Sequence, residues 1–406
     1  MIGAPHNIIR HDDMPAGVFK LMWDDLEAGL PVCTYVLNRA GDGLDYWVFA
    51  TVTAVEDGYV SVRTKPLDQD AFATVRGIYQ RVRAIERECI AQGLPRRKVA
   101  ERGAQALLAE LETLGYGSLS AFGRAALPQE AQLLLRAGVR VPVREESDGA
   151  AERILELART IEHDSDTLVG QVGGYRELLA GLGGWMEQSP AIIRRARRTG
   201  ELVAMFDSQD AESSVPDVSE RVSERTARAV EQLGGLTSTV GALVSAVAQL
   251  SFRASLMRLH TLVLGIYAAA VVDGTEDDVP RAMTELSHAL AEDLADIGPV
   301  CNAIVTRSDE LDELMRSVVS DLDRTRRPFD RWLRALQDEH ASLREGVEGD
   351  VLALLGEAER LSEAGFPEMS ALATLAARCR GLDFSYNSDA MQGTMAAVAD
   401  AIGDLV

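Results

Sequence analysis

His6-Asn7-Ile8-Ile9-Arg10-His11-Asp12-Asp13-Met14-Pro15 opens the segment from which the rest of this 406-residue chain is read. Asp13 or a residue beside it can cap a helix whose first turn holds Pro15, where a missing N–H costs no helical bond. In that helix Val18, Met22 and Leu26 fall on one stripe with Phe19 and Trp23 beside it, and Gly29 stops it. Val32 to Leu37 reads as a strand, and Asn38-Arg39-Ala40-Gly41-Asp42-Gly43 supplies a hairpin loop. In the next strand, Asp45 to Val55, the row Trp47, Phe49, Thr51, Thr53 alternates with Tyr46, Val48, Ala50, Val52. One row must face a core and the other a helix or a partner. Glu56-Asp57-Gly58 turns the chain into a third strand, Tyr59 to Thr64, and Pro66 ends the sheet. The expected class is α+β, a three-stranded antiparallel sheet with a helix, followed by a mostly α-helical coiled-coil or bundle region.

Beyond the sheet the period changes from two to three and four. Phe72, Val75, Ile78, Val82 and Ile85 predict a helix from Asp68 to about Gly93, and Ala104, Leu107, Leu108 and Leu111 a second within Lys98 to Gly115. Glycines, two prolines and an acidic-polar run between Gly115 and Gly149 mark the expected boundary. Heptads follow. Ile154, Ala158, Ile161, Ser165, Leu168, Val172, Tyr175, Leu179 and Leu182 step by four and three, as does the row from Val222 through Leu236, Val240, Leu243 and Val247 to Leu264. A 3.5-residue period held that long marks helices wrapped on one another. Gly173-Gly174, Gly183-Gly184 and Gly234-Gly235 are expected bends, and Asp207 to Asp217 a loop. A third row, Ile304 through Met315 and Leu322 to Leu336, crosses Pro328, which is expected to kink or end its helix.

The totals narrow the function classes. With 41 basic against 63 acidic side chains the net charge is −22, which repels nucleic-acid phosphates and anionic lipid, so neither nucleic acid nor a membrane surface is an expected partner. Cys33, Cys89, Cys301 and Cys379 lie far apart, suggesting no zinc site and no disulfide framework, and fit a reducing cytoplasm. The apolar run Thr261 to Val272 is short for a membrane span and reads as buried helix. No basic region followed by an apolar core opens the chain, so no signal peptide is expected. Phosphate-loop, zinc-helix and nucleophile-elbow motifs are absent, and no enzyme activity is expected. Ser287-His288-Ala289-Leu290 reads as a solvated helical histidine, and Arg194 to Arg198 and Arg324 to Arg331 as solvated basic faces.

The order of His6, Arg10, His11 and Asp13, an aromatic pair on the next helix and Asn38-Arg39 at the end of a strand resembles the C-terminal half of a PAS domain of the aerotaxis-receptor type. In that family the corresponding residues line a flavin pocket. The resemblance therefore implies a cofactor, FAD, held by His6, Arg10, His11, Asp13, Phe19, Trp23 and Asn38, with Arg10 on the pyrophosphate. Spacing alone reads Phe19 and Trp23 as core residues and Arg10 with Asp13 as a local ion pair. Asp12 stands where the family has proline, and the turn at Glu56-Asp57-Gly58 is shorter than the family's. Met1 falls where the family is halfway through its domain. The sheet is thus expected to lack two strands, supplied by a start further upstream or by a partner.

Ser251 to Asp273 resembles, in degenerate form, the hairpin tip of the chemoreceptor signalling region, without that family's Glu-Ala-Ala-Arg-Ala-Gly-Glu word or its methylation sites. Three regions are expected: 1–66 a partial PAS sensor, 67–148 a helical linker and 149–406 a helical bundle. The resemblance implies a cytoplasmic signal-transduction protein of the aerotaxis or chemotaxis type, dimeric through its helices, with chemotaxis signalling proteins as partners. The alternative is a non-sensing dimerisation scaffold that uses the half-PAS module and the coiled coil.

Overall fold

The computed structural model describes residues 9–55, 58–144, 149–209, 216–275, 279–341, 349–382, 384 and 386–405. A helix α1 (Ala16–Glu27) leads into strands β1 (Val32–Arg39), β2 (Asp45–Val55) and β3 (Gly58–Thr64). They form a three-stranded antiparallel sheet in the order β1-β2-β3, with Tyr35 opposite Phe49 and Thr51 opposite Val62. Gly43 closes the β1–β2 hairpin at φ 87°, a conformation that side chains with a Cβ rarely adopt. Glu56 and Asp57, expected as the second turn, lie outside the described residues.

Three helices follow: α2 (Gln69–Ala91), α3 (Arg96–Thr113) and α4 (Leu119–Arg136). Asp68 caps α2 by accepting the Ala71 N–H at 3.0 Å, as its place before the first apolar-periodic residue requires. The two rows of the sheet meet different helices. On the Trp47–Phe49 side, Phe72 of α2 meets the Trp47 ring edge-on at 5.2 Å, and the Tyr35 hydroxyl donates to Glu130 of α4 at 2.8 Å. Gly123 of α4 rests so closely on β1 that a Cβ there would lie 2.7 Å from the Cys33 carbonyl oxygen. The Ala50–Val52 side faces Met22 and Trp23 of α1. Helix α4 occupies what the sequence marks as a boundary; Leu119, Phe122, Ala126, Leu127, Ala131 and Leu134 bury one of its faces.

The remaining helices are α5 (Ala150–Met186), α6 (Ser189–Gln209), α7 (Pro216–Val272), α8 (Pro280–Ala341), α9 (Gly349–Ala364), α10 (Met369–Arg380) and α11 (Ser388–Gly403). Leu236, Val240, Leu243 and Val247 are buried while Thr237 and Gly241 are exposed, so the heptad phase is the one read from sequence. In α5 the phase slips late: Leu178 is buried and Leu179 only half so. The helices run through Gly173-Gly174, Gly183-Gly184, Gly234-Gly235 and Pro328 without ending. Gly174 serves packing, because a Cβ would lie 2.7 Å from Leu382 Cδ2. The loop expected between Asp207 and Asp217 lies mostly outside the described residues. Helix α7 is long and apolar enough to cross a membrane by length and composition, but 67% of its apolar window is buried within the fold.

The chain divides into two compact units. One comprises Met1–Gly170, Ala248–Val300 and Tyr386–Val406, the other Gln171–Val247 and Cys301–Ser385. In the first, Arg258 pairs with Glu162 and Asp166, Arg144 with Asp273, and His260 with Asp293. In the second, Leu202, Val222, Phe329 and Trp332 form a core, while Arg198 grips Glu357 through two bonds of 2.8 and 2.7 Å.

Candidate functional site

A cleft of about 650 Å³ of empty space, part of it open to solvent, lies between α1 and the sheet. Period two brings Val32, Thr34, Val36 and Asn38 of β1 to its floor, with Ala50 and Val52 of β2 beside them. Tyr59, Ser61 and Arg63 complete the floor from β3. Phe19, Met22 and Trp23 form the wall from α1, their spacing of three and four placing them on one side of the helix. Trp23 meets Tyr59 edge-to-face at 5.2 Å, which ties the wall to the floor.

Four of the nominated residues line this cleft: Arg10, Phe19, Trp23 and Asn38. Arg10 and Asn38 are joined by an isolated antiparallel bridge, which carries the segment before α1 to the edge of β1. The Arg10 guanidinium lies 4.4 Å from the Phe19 ring centroid and donates to the Met14 carbonyl at 2.7 Å. Burial lowers its pKa, and Glu86 nearby opposes that shift. It forms no ion pair with Asp13, which pairs instead with Arg87 at 2.5 Å. Asn38 is buried, and its Nδ2 has no hydrogen-bond partner among the described residues.

His11 and Asp13 are not in the cleft lining. His11 is buried, accepts the Asp13 N–H on Nδ1 at 3.0 Å and places Nε2 3.1 Å from Asp45 Oδ2. The Arg39 guanidinium, a donor only, lies 2.5 Å from the same Nε2. A hydrogen bond from Arg39, with burial opposing, holds Asp45 below the usual carboxylate range. These two residues brace the turn before α1. His6 lies outside the described residues.

Sequence reasoning passed over Glu86, which is fully buried on α2 and accepts the Ala16 and Gly17 N–H groups at 3.0 and 2.8 Å. It fixes the start of α1 and thereby the height of the cleft wall. The β3 contributors Tyr59, Ser61 and Arg63 were also missed, although alternation from Gly58 to Thr64 carries that signal.

A stretch of 87 residues, 20% of the chain, is 38% identical to part of the aerotaxis receptor of Escherichia coli (strain K12). The chain is in part similar to an aerotaxis receptor. The match covers 17% of that receptor's length, and no family model matches the chain.

Proposed function

We propose that the chain is a signal-transduction protein of the aerotaxis or chemotaxis receptor type, whose sheet and α1 act as a PAS-like sensor binding FAD. The observation that carries this reading is the unpartnered Nδ2 of buried Asn38 in the cleft floor. A buried donor without a partner costs about 1–3 kcal/mol, a cost that a ligand carbonyl would remove. The apolar β1 and β2 row offers a surface for a planar ring, Asn38 a donor to its edge, and Arg10 a charge for a phosphate. Flavin would supply the redox change, and the protein would bind and report that state without turnover. The partial likeness to an aerotaxis receptor supports this reading. On it the protein works in the cytoplasm, the helices pass the signal on by altered packing, and a second copy and chemotaxis signalling proteins are the proposed partners.

The test is absorbance of the purified full chain in the flavin bands after reconstitution with FAD. Wild type should retain flavin. Trp23→Ala removes the apolar wall and Arg10→Ala the phosphate partner, and both should lose it. Asn38→Ala should also lower retention, while leaving the flavin-free protein as stable as wild type or more so, because the orphaned donor is gone. Equal flavin content in wild type and all three variants would return these residues to a purely structural role.

A further inference from the structure

A second pocket lies on the Trp47 side of the sheet, between α2 and the paired strand residues Leu37 and Trp47, and shares no residue with the cleft. It holds about 760 Å³ of empty space, part of it open to solvent. Arg76, Gln80, Arg83 and Arg87 follow one another at spacings of four, three and four, so a single row of α2 brings three guanidinium groups to its wall. Like charges four apart, as in Arg83 and Arg87, weaken a helix, and the chain as a whole is acidic. Two carboxylates answer the three arginines: Asp13 pairs with Arg87 at 2.5 Å and Glu86 with Arg83 at 3.1 Å. Arg76 has no ion pair among the described residues, so three cations less two carboxylates leave one positive charge.

Arg83 is itself under-satisfied. Its side chain is only 20% exposed, and its buried Nε has no hydrogen-bond partner among the described residues. Glu86 cannot supply more, because it also accepts two N–H groups of α1. A buried cationic donor without an acceptor is costly, and a carboxylate oxygen removes that cost. The facing wall is apolar. The Trp47 ring stacks on Tyr79 at 6.2 Å, and the Tyr79 hydroxyl is taken up by Thr34 and the Tyr35 carbonyl, so Tyr79 offers only its ring. Arg76 lies 5.9 Å from the centroid of Phe72, the same ring that meets Trp47, and being exposed it can swing toward Arg83. We infer that this pocket binds a small organic monocarboxylate, its carboxylate held by Arg76 and Arg83 and its apolar or aromatic body against Trp47 and Leu37. A monoanion matches the one excess charge, and the aromatic wall favours a ligand with an apolar body over a hydrated inorganic oxyanion. The pocket is separate from the cleft, and its ligand is independent of whether the cleft holds flavin.

The experiment titrates the full chain by calorimetry with benzoate, neutral benzamide, acetate and inorganic phosphate. It uses wild type, Arg76→Gln and Arg81→Gln, the last making the same charge change at an exposed position of α2 outside the pocket lining. Benzoate should bind wild type about ten-fold more tightly than benzamide, as one charge-assisted hydrogen bond implies, and more tightly than acetate, which lacks the apolar body. Arg76→Gln should remove the preference for benzoate over benzamide, and Arg81→Gln should keep it. No benzoate binding at millimolar concentration, equal affinity for benzoate and benzamide, or equal losses in the two variants would overturn the inference. So would acetate binding as tightly as benzoate, which would take the apolar wall out of the site, or phosphate binding more tightly than benzoate, which would make the pocket a site for inorganic oxyanions.

Discussion

Glu86 joins three helices. Its carboxylate on α2 accepts two N–H groups of α1, and it stands so close to α3 that a Cβ on Gly103 would lie 2.0 Å from its Oε1. Glu86→Ala leaves the buried Gly17 donor and the part-buried Ala16 donor unpaired, so it should lower stability by about 1–3 kcal/mol. Glu86→Gln keeps the shape and one acceptor and should lose less; urea midpoints measure both, and an alanine variant as stable as wild type would refute the capping role. Nothing in the sequence distinguishes Glu86 from a solvated helical glutamate. The apolar spacing selects Ile85 instead, which is 40% exposed, because the partners that explain Glu86 lie about 70 positions away. The cysteines were legible as free thiols. Burial pushes Cys301 to about 12 and Cys379 to about 11, and Cys33 higher still. At pH 8 a thiol reagent should therefore label half-buried Cys89 first, with the other three reacting only after denaturation.

At the scale of elements, glycine decides how closely helices approach. A Cβ on Gly17 of α1 would lie 2.2 Å from the Gly103 carbonyl carbon of α3, a backbone atom that cannot rotate aside. Gly17→Ala should thus destabilise by about 1–3 kcal/mol through overpacking, read as a lowered denaturation midpoint, while Gly41→Ala, with open space around it, should not. An unchanged midpoint in Gly17→Ala would mean that α1 and α3 can part without penalty. The strands and long helices were legible because each period, two or 3.5, persists for many residues. Helix α4 was not, since Pro128 and the flanking glycines outweighed six apolar positions at helical spacing. Helices α5, α7 and α8 continue through the paired glycines, expected as bends, and through Pro328, expected to kink or end its helix, for a related reason. Tertiary burial on both sides, Thr325 and Phe329 around Pro328 for example, holds a helix through a poor local sequence.

For the whole molecule the governing quantity is charge. Hydrogen bonds from Lys98, Arg81, Arg144 and Arg198 hold Glu101, Glu110, Asp273 and Glu357, in that order, below the usual carboxylate range. A carboxylate depressed in the folded state adds stability above its unfolded pKa, near about 4 to 4.5, and loses it as pH falls through the folded value. Each pair lies at or near the surface and contributes little, so the effect is collective. The melting temperature should be nearly level from about pH 8 to 5.5 and should decline below about pH 4.5; a protein that melts higher at pH 3.5 than at pH 7 would show that relief of the −22 self-repulsion outweighs these pairs. The division into units follows no single stretch of sequence. The first is assembled from three separated segments, and its limits at Gly170, Ala248 and Val300 fall inside α5, α7 and α8. Arg258 from the second segment pairs with Glu162 and Asp166 from the first, and Val141 fills the space beside Gly265. A gene shortened to its first 170 codons would therefore encode a protein in which Glu162 and Asp166 lose Arg258, keeping only Val141 and Arg140 as partners, and Val141 is uncovered. Recombination could not transplant the cleft together with its supporting unit as one exon-like block; the unit is inherited with the helices between its pieces or not at all.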